Sequence, residues 1–191
     1  MDVCGPASYD LHLGETLLGW PSGVVRDPRI DQSEVWELKQ LRADGTWVLE
    51  PGMFYLGATR ERVGIPNDLV GQLEGRSSWG RLGLEIHRCA GYIDPGFQGH
   101  PTLELSVVGA PLVIWPGARI CQLVLTLLTS PAVRPYRGKY HGDDGPVASR
   151  LHLDHDIAKG ATMSEERHVG CLFCGTDDCV CEKTDAATVE A

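Results

Sequence analysis

The residues best suited to chemistry lie between positions 75 and 122. "GRSSWGRLG" (75–83) gathers Arg76, Ser77, Ser78, Trp79, Gly80 and Arg81 into a stretch that follows no secondary-structure period. Arg76 and Arg81 carry planar forks that match phosphate or carboxylate oxygens. Ser77 and Ser78 add hydroxyl donors, and the glycines let main-chain N–H groups approach an anion closely. The stretch lacks the Gly-Lys-Ser/Thr ending of a Walker A loop. Standing alone it would read as a polar surface turn. Its neighbours favour an anion loop. In "AGYIDPGFQG" (90–99), Asp94 precedes Pro-Gly, where it can accept a bond from a sugar hydroxyl, orient a water, or simply cap a turn. In "TLEL" (102–105), Glu104 alternates with Leu103 and Leu105. If the leucines face a core, Glu104 faces the other side: an ordinary solvated carboxylate on an outer face, a general acid/base in a cleft. In "WPGARICQL" (115–123), Gln122 offers a neutral amide to a phosphate or a base.

The elements that must position these groups are short. Alternating runs at 9–14, 35–41, 46–51, 53–65, 69–75, 82–89, 101–109, 111–117 and 119–129 are separated by Gly, Pro and Asp. Many short strands with frequent turn signals predict an all-β sandwich, jelly roll or barrel. "RSSWGRL" allows one short helical turn, and no longer 3.6-residue period precedes residue 130. After residue 130 the chain is rich in Pro, Gly, Arg and Tyr and poor in apolar residues. It cannot bury a core, so it is expected to be either an ordered surface arm or a flexible flap. From Ser164 onward, seven Asp/Glu stand against Arg167 and Lys183. The expected organisation is a core at 1–130, an arm at 131–163 and an acidic Cys-rich tail at 164–191.

The chain has 191 residues, enough for one well-cored domain of roughly 150 residues plus a tail. Its formal net charge of -9 argues against nucleic-acid binding and against adsorption to anionic membranes. Local arginines still permit a phosphate ligand. No apolar run approaches the roughly 20 residues of a membrane span, and no signal peptide is evident. The seven cysteines, an odd number, fit a reducing cytoplasm.

The block "EGRSSWGRLGLEIHRCAGYIDPGFQGHPTLELS" (74–106) resembles the dCTP deaminases of the trimeric dUTPase-like superfamily, as do "GPASYDLHLG" (5–14), "WPGARICQL" and "RPYRGKYHGDDGPVASRL" (134–151). The resemblance implies a dUTPase-like β-clip or jelly-roll barrel, assembled as a homotrimer with active sites between subunits. It implies that Glu104 is the proton shuttle of deamination. Ser77 and Arg81 would hold Glu104, the water and the intermediate, and the Ala90 carbonyl would orient the water. Arg76, Ser77 and Ser78 would bind the triphosphate with Gln122, Tyr136 and Lys139, and Asp94 would bind the 3′-hydroxyl. Trp79, Gly80, Thr102, Leu103 and Asp143 complete the expected nucleotide-binding set. Mg²⁺ would come with the triphosphate, zinc would not be needed for the chemistry, and dTTP would act as a feedback inhibitor. Ala90-Gly91 matches the bifunctional members, which continue to dUMP and diphosphate. Deaminase-only members carry His after that Ala, where a side chain could block water from the α-phosphate.

Three departures bear on the substrate. The chain begins almost at "GPASYDLHLG", without the N-terminal helix usual in the family. The arm is shortened between Tyr136 and Lys139. The family's "KYxGQ" reads "KYHGD", so Asp143 stands where a Gln would contact the nucleotide. A carboxylate there is repelled by a triphosphate unless Mg²⁺ or another cation bridges it. It could instead mark a modified deoxycytidine nucleotide. A deaminase that stops at dUTP and a catalytically silent nucleotide-binding regulator are the other readings. In the tail, Cys171, Cys174, Cys179 and Cys181 form Cys-x2-Cys-x4-Cys-x-Cys, with His168 nearby. This is either a small zinc knuckle, tight for one tetrahedral site, or a set of oxidation-prone thiols.

Overall fold

Two-residue alternation of apolar and polar side chains sets the longest strands, because one face of each must be buried. A computed structural model of the chain describes residues 3–154 and Ile157. The described residues form thirteen strands: β1 (Tyr9–His12), β2 (Leu18–Gly19), β3 (Glu37–Leu38), β4 (Trp47–Leu49), β5 (Tyr55–Ala58), β6 (Val63–Gly64) and β7 (Leu69–Gly75), then β8 (Leu84–Glu85), β9 (Tyr92–Ile93), β10 (Gln98–Gly99), β11 (Thr102–Val107), β12 (Leu112–Ile114) and β13 (Arg119–Leu127). One helical turn, α1 (Ser77–Gly80), follows β7. The all-β expectation holds, and so does the short turn inside "RSSWGRL".

All strand pairings are antiparallel. One sheet runs β1-β13-β7-β9 and a second runs β3-β2-β5-β11-β8; β10-β6 and β12-β4 form two smaller pairs. Both larger sheets feed one apolar core, with Leu11, Leu73 and Ile120 from the first and Tyr55, Leu103 and Leu105 from the second. This is the jelly-roll-like barrel that the frequent turns foretold.

Several expected strands are shorter than their runs. The 35–41 run keeps only β3, whose two residues are exposed, because it lies at a sheet edge and buries neither face. The 53–65 run splits into β5 and β6, where the Thr59 hydroxyl donates to the Glu61 carbonyl at 2.8 Å and turns the chain locally.

Residues 131–154 hold no strand, yet they are tied closely to the barrel. The Tyr136 N–H donates to the Pro95 carbonyl (2.7 Å), the Gly142 N–H to that of Gln98 (2.7 Å), and the His100 N–H to that of Asp143 (2.9 Å). The Val147 N–H reaches the Thr102 hydroxyl at 3.3 Å. The segment thus tracks residues 95–102 in the same direction, and it is the ordered arm of the two expected alternatives. Gly96 permits the approach: its φ is +87°, and a Cβ there would lie 2.6 Å from the Pro135 Cβ. The acidic tail at 164–191 and its four cysteines lie outside the described residues.

Two outcomes test this packing. Leu103→Ala removes a fully buried side chain and should cost about 2–5 kcal/mol in chemical denaturation. Cys121 is buried on β13, and burial pushes its thiol up to about 12, so little thiolate exists at pH 8. Peptide mapping after iodoacetamide at pH 8 should find exposed Cys89 alkylated in the native protein and Cys121 only after unfolding.

Candidate active site

Glu104 is placed by the pleat of β11. Leu103 and Leu105 on either side of it are fully buried, so the Glu104 side chain leaves the sheet on the opposite face. There it enters a cavity of about 490 Å³. The Arg88 main-chain N–H donates to Glu104 Oε2 at 2.9 Å, and Oε1 has no hydrogen-bond partner among the described residues. The carboxylate is thus held by one oxygen and open at the other. The carboxylate lies in a cleft and is not an ordinary solvated group on an outer face.

Of the sequence-predicted residues, Ala90, Asp94, Thr102, Tyr136 and Asp143 line the same cavity. Asp94 does not cap its turn with its side chain. The turn is closed by the main chain, Phe97 N–H to Asp94 carbonyl at 3.1 Å, and no hydrogen bond of the carboxylate is found among the described residues. Tyr136 packs its ring against Phe97 at 6.1 Å, and its hydroxyl oxygen accepts from the Tyr140 N–H at 3.1 Å. Gly91, next to Ala90 in the chain, is closely packed: a Cβ would stand 3.1 Å from His87 Nε2 and 3.2 Å from the Leu73 carbonyl oxygen. Leu103 belongs to the core, so its expected contact with a nucleotide is left to its main chain.

The cationic residues lie elsewhere. No Lys or Arg lines the cavity, whereas Asp94, Glu104 and Asp143 all do. Arg76 pairs through Nε with Asp10 Oδ1 at 3.1 Å, and Arg119 meets the other oxygen of Asp10 at 3.2 Å. The Trp79 indole N–H donates to the Arg119 carbonyl at 2.7 Å, and its ring packs on Trp115. Arg81 is exposed and folds back to donate to the Ser77 carbonyl at 3.1 Å. Ser77 and Ser78 are exposed on α1 beside Gly80. Gln122 donates to the Gly75 carbonyl at 3.3 Å and accepts from the Ser8 hydroxyl at 3.0 Å. Arg76, Arg119, Gln122, Ser8 and Asp10 therefore form one polar cluster, with Asp10 on β1, Ser8 just before it, Arg119 and Gln122 on β13, and Arg76 between β7 and α1.

The cation that Asp143 requires is a residue of this chain. Arg150 grips the carboxylate as a fork, Nη2 to Oδ1 at 2.9 Å and Nη1 to Oδ2 at 3.1 Å. Lys139, expected at a phosphate, instead reaches Asp154 at 2.6 Å. Sequence reading missed Arg150, Asp10 and the Arg88 N–H. Asp10 stood inside the quoted "GPASYDLHLG", where its place beside buried Leu11 marked it as facing away from the core. Nothing in the sequence couples Arg150 to Asp143, because both lie in an irregular segment with no period to relate them.

Among the described residues, no group of three His, Cys, Asp or Glu side chains is arranged to hold a metal ion. No helix of the described residues is long and apolar enough to cross a membrane.

Comparison with known proteins points the same way. The dCTP deaminase-like family model matches residues 2–128. A protein of Halobacterium salinarum named "dCTP deaminase, dUMP-forming" is 48% identical over 161 residues, covering 80% of this chain and 83% of that one. A protein of the same name from Methanosphaera stadtmanae is 41% identical over 167 residues, covering 81% of this chain and 84% of that one. The fold is similar to that of the crystal structure of 2′-deoxycytidine 5′-triphosphate deaminase from Agrobacterium tumefaciens, with a TM-score of 0.56 and 26% identity over 67% of this chain and 41% of that one. A chain matched over most of its length in sequence, and sharing that barrel, belongs to the dCTP deaminase-like family.

Proposed function

We propose that this chain is a dCTP deaminase that carries its product on to dUMP, releasing ammonia and diphosphate. The observation that carries the reading is Glu104, a carboxylate held at one oxygen by the Arg88 N–H and open at the other to a cavity of about 490 Å³. In deamination, water adds to cytosine C4, N3 takes a proton, and N4 takes another before leaving as ammonia. One carboxyl group can take the proton of the water, deliver it to N3, and then move the hydroxyl proton to N4. The Ala90 carbonyl, at the same cavity, would orient the water.

Electrostatics divides the nucleotide between two places. A cavity with three carboxylates and no cation suits the sugar and base, not a triphosphate. Asp94, with an unbonded carboxylate, would receive the 3′-hydroxyl. Arg76, Ser77, Ser78, Arg81 and Gln122 suit phosphates but do not line this cavity. A neighbouring copy in a trimer would supply them, and with them the partners of the intermediate. Mg²⁺ would be held mainly by phosphate oxygens and water. dTTP, which carries the same triphosphate, would compete as an end product.

The second step needs water at the α-phosphate. Gly91 packs against the His87 ring and the Leu73 carbonyl, and any Cβ there must press on both. A larger side chain at 91 must therefore turn elsewhere or displace them, and the names of the similar proteins, dUMP-forming, fit a glycine at this position.

Purified protein incubated with dCTP and Mg²⁺ should yield dUMP and diphosphate by chromatography; dUTP building up unprocessed would sink the second step. Glu104→Gln should slow deamination by about 10²–10⁴-fold while nucleotide binding persists in calorimetry. Undiminished turnover would remove Glu104 from the mechanism. Gly91→His should lower the share of dUMP and raise that of dUTP among the products, whatever the clash with His87 and the Leu73 carbonyl costs in overall rate.

A further inference from the structure

We propose that Asp143, held by Arg150, is a specificity-determining acceptor that takes a hydrogen bond from an N–H or O–H donor on the nucleoside end of the substrate. The proposal rests on reading the cavity as the nucleoside site. Asp143 lines that cavity together with Glu104, and its side chain is only 13% exposed. Both of its oxygens are engaged by the Arg150 fork, at 2.9 and 3.1 Å.

The pair is built to keep its position. The Asp143 carbonyl accepts from the His100 N–H at 2.9 Å. Arg150 is fixed on its own side: its N–H donates to the Tyr140 hydroxyl at 2.9 Å, its Nη1 also donates to the Lys139 carbonyl, and its guanidinium lies 5.6 Å from the Tyr140 ring centroid. Neither charge can swing away without breaking several contacts.

A carboxylate offers about four lone-pair sites, and the fork uses two. What it lacks is a donor. A group that faces it across the cavity must therefore bring a hydrogen, and a carbonyl or phosphate oxygen would be repelled. A neutral amide at this position would accept from one partner and donate to another, and so would discriminate less. Deoxycytidine carries two donors of the required kind, but the single hydrogen of the 3′-hydroxyl is assigned to Asp94, which leaves the 4-amino group for Asp143. Loss of that group is what deamination produces, so an acceptor facing it would favour substrate over product.

The test is equilibrium binding to Glu104→Gln protein, in which turnover is suppressed, with and without Asp143→Asn. Three ligands are compared: dCTP, dUTP (no 4-amino group) and 2′,3′-dideoxy-CTP (no 3′-hydroxyl). Asp143→Asn should weaken dCTP binding by about tenfold, the scale of a hydrogen bond to a charged acceptor. That loss should vanish for dUTP, which lacks the partner donor, and persist for the dideoxynucleotide, as coupled groups require. An unchanged Kd for dCTP, or the same loss for all three ligands, overturns the proposal, the latter by reducing Asp143 to a structural part of the arm. If Asp143→Asn fails to fold by thermal melt, Asp143→Glu replaces it. That variant keeps an acceptor-only group and should preserve the rank order of the three ligands; a changed order overturns the proposal. If Glu104→Gln protein binds no dCTP at all, the assignment of the cavity fails, and this proposal with it.

Discussion

Leu103 and Leu105 occupy the centre of the core, and the pleat of β11 leaves the residue between them only the other face. Much of the candidate site depends on that constraint. The strand is paired on both sides, with β5 opposite Thr102–Leu105 and β8 opposite Ser106 and Val107. A slip of one residue would send Glu104 into an apolar interior and two leucines into the cavity. Both exchanges are costly, the first because an unpaired carboxylate would be desolvated. The register that stabilises the barrel is therefore the register that presents Glu104 to the cavity. The same pairing brings residues 86–88 alongside, where the Ile86 carbonyl accepts from the Glu104 N–H at 3.1 Å and the Arg88 N–H holds the carboxylate.

The arm meets a different physical demand. Residues 131–154 have little apolar surface to bury, so hydrogen bonds and ion pairs must hold them. The donors and acceptors come from residues 95–102, the segment that leads into β11. The arm and β11 thus share one foundation. Asp143 and Arg150 close the arm on itself, and the pair matters because an unmatched buried charge costs far more than a matched one contributes.

Charge is sorted sharply within this acidic protein. Carboxylates gather in the cavity, and Arg76 and Arg119 gather around Asp10 on β1. One aspartate between two arginines holds both guanidinium groups in place and leaves a net positive cluster.

The sequence by itself determined the strand-rich class, the facing of Glu104, the helical turn at 77–80 and the placing of Asp94 at a turn. These follow from periods and turn residues that act over a few positions. It also carried enough of its motifs to reveal the family. Tertiary structure decided the rest. It separated Arg76 and Arg81 from the cavity that Glu104 enters, though they lie within thirty residues of it in the chain. It gave Asp143 a partner in Arg150, turning an expected repulsion into a fixed acceptor, and it took Lys139 to Asp154. It also made the arm an ordered part of the barrel. No local rule reaches these outcomes, because each is a pairing between side chains in irregular segments or across sheets. Such pairings have no sequence period, and only the path of the folded chain brings the two charges within hydrogen-bonding distance.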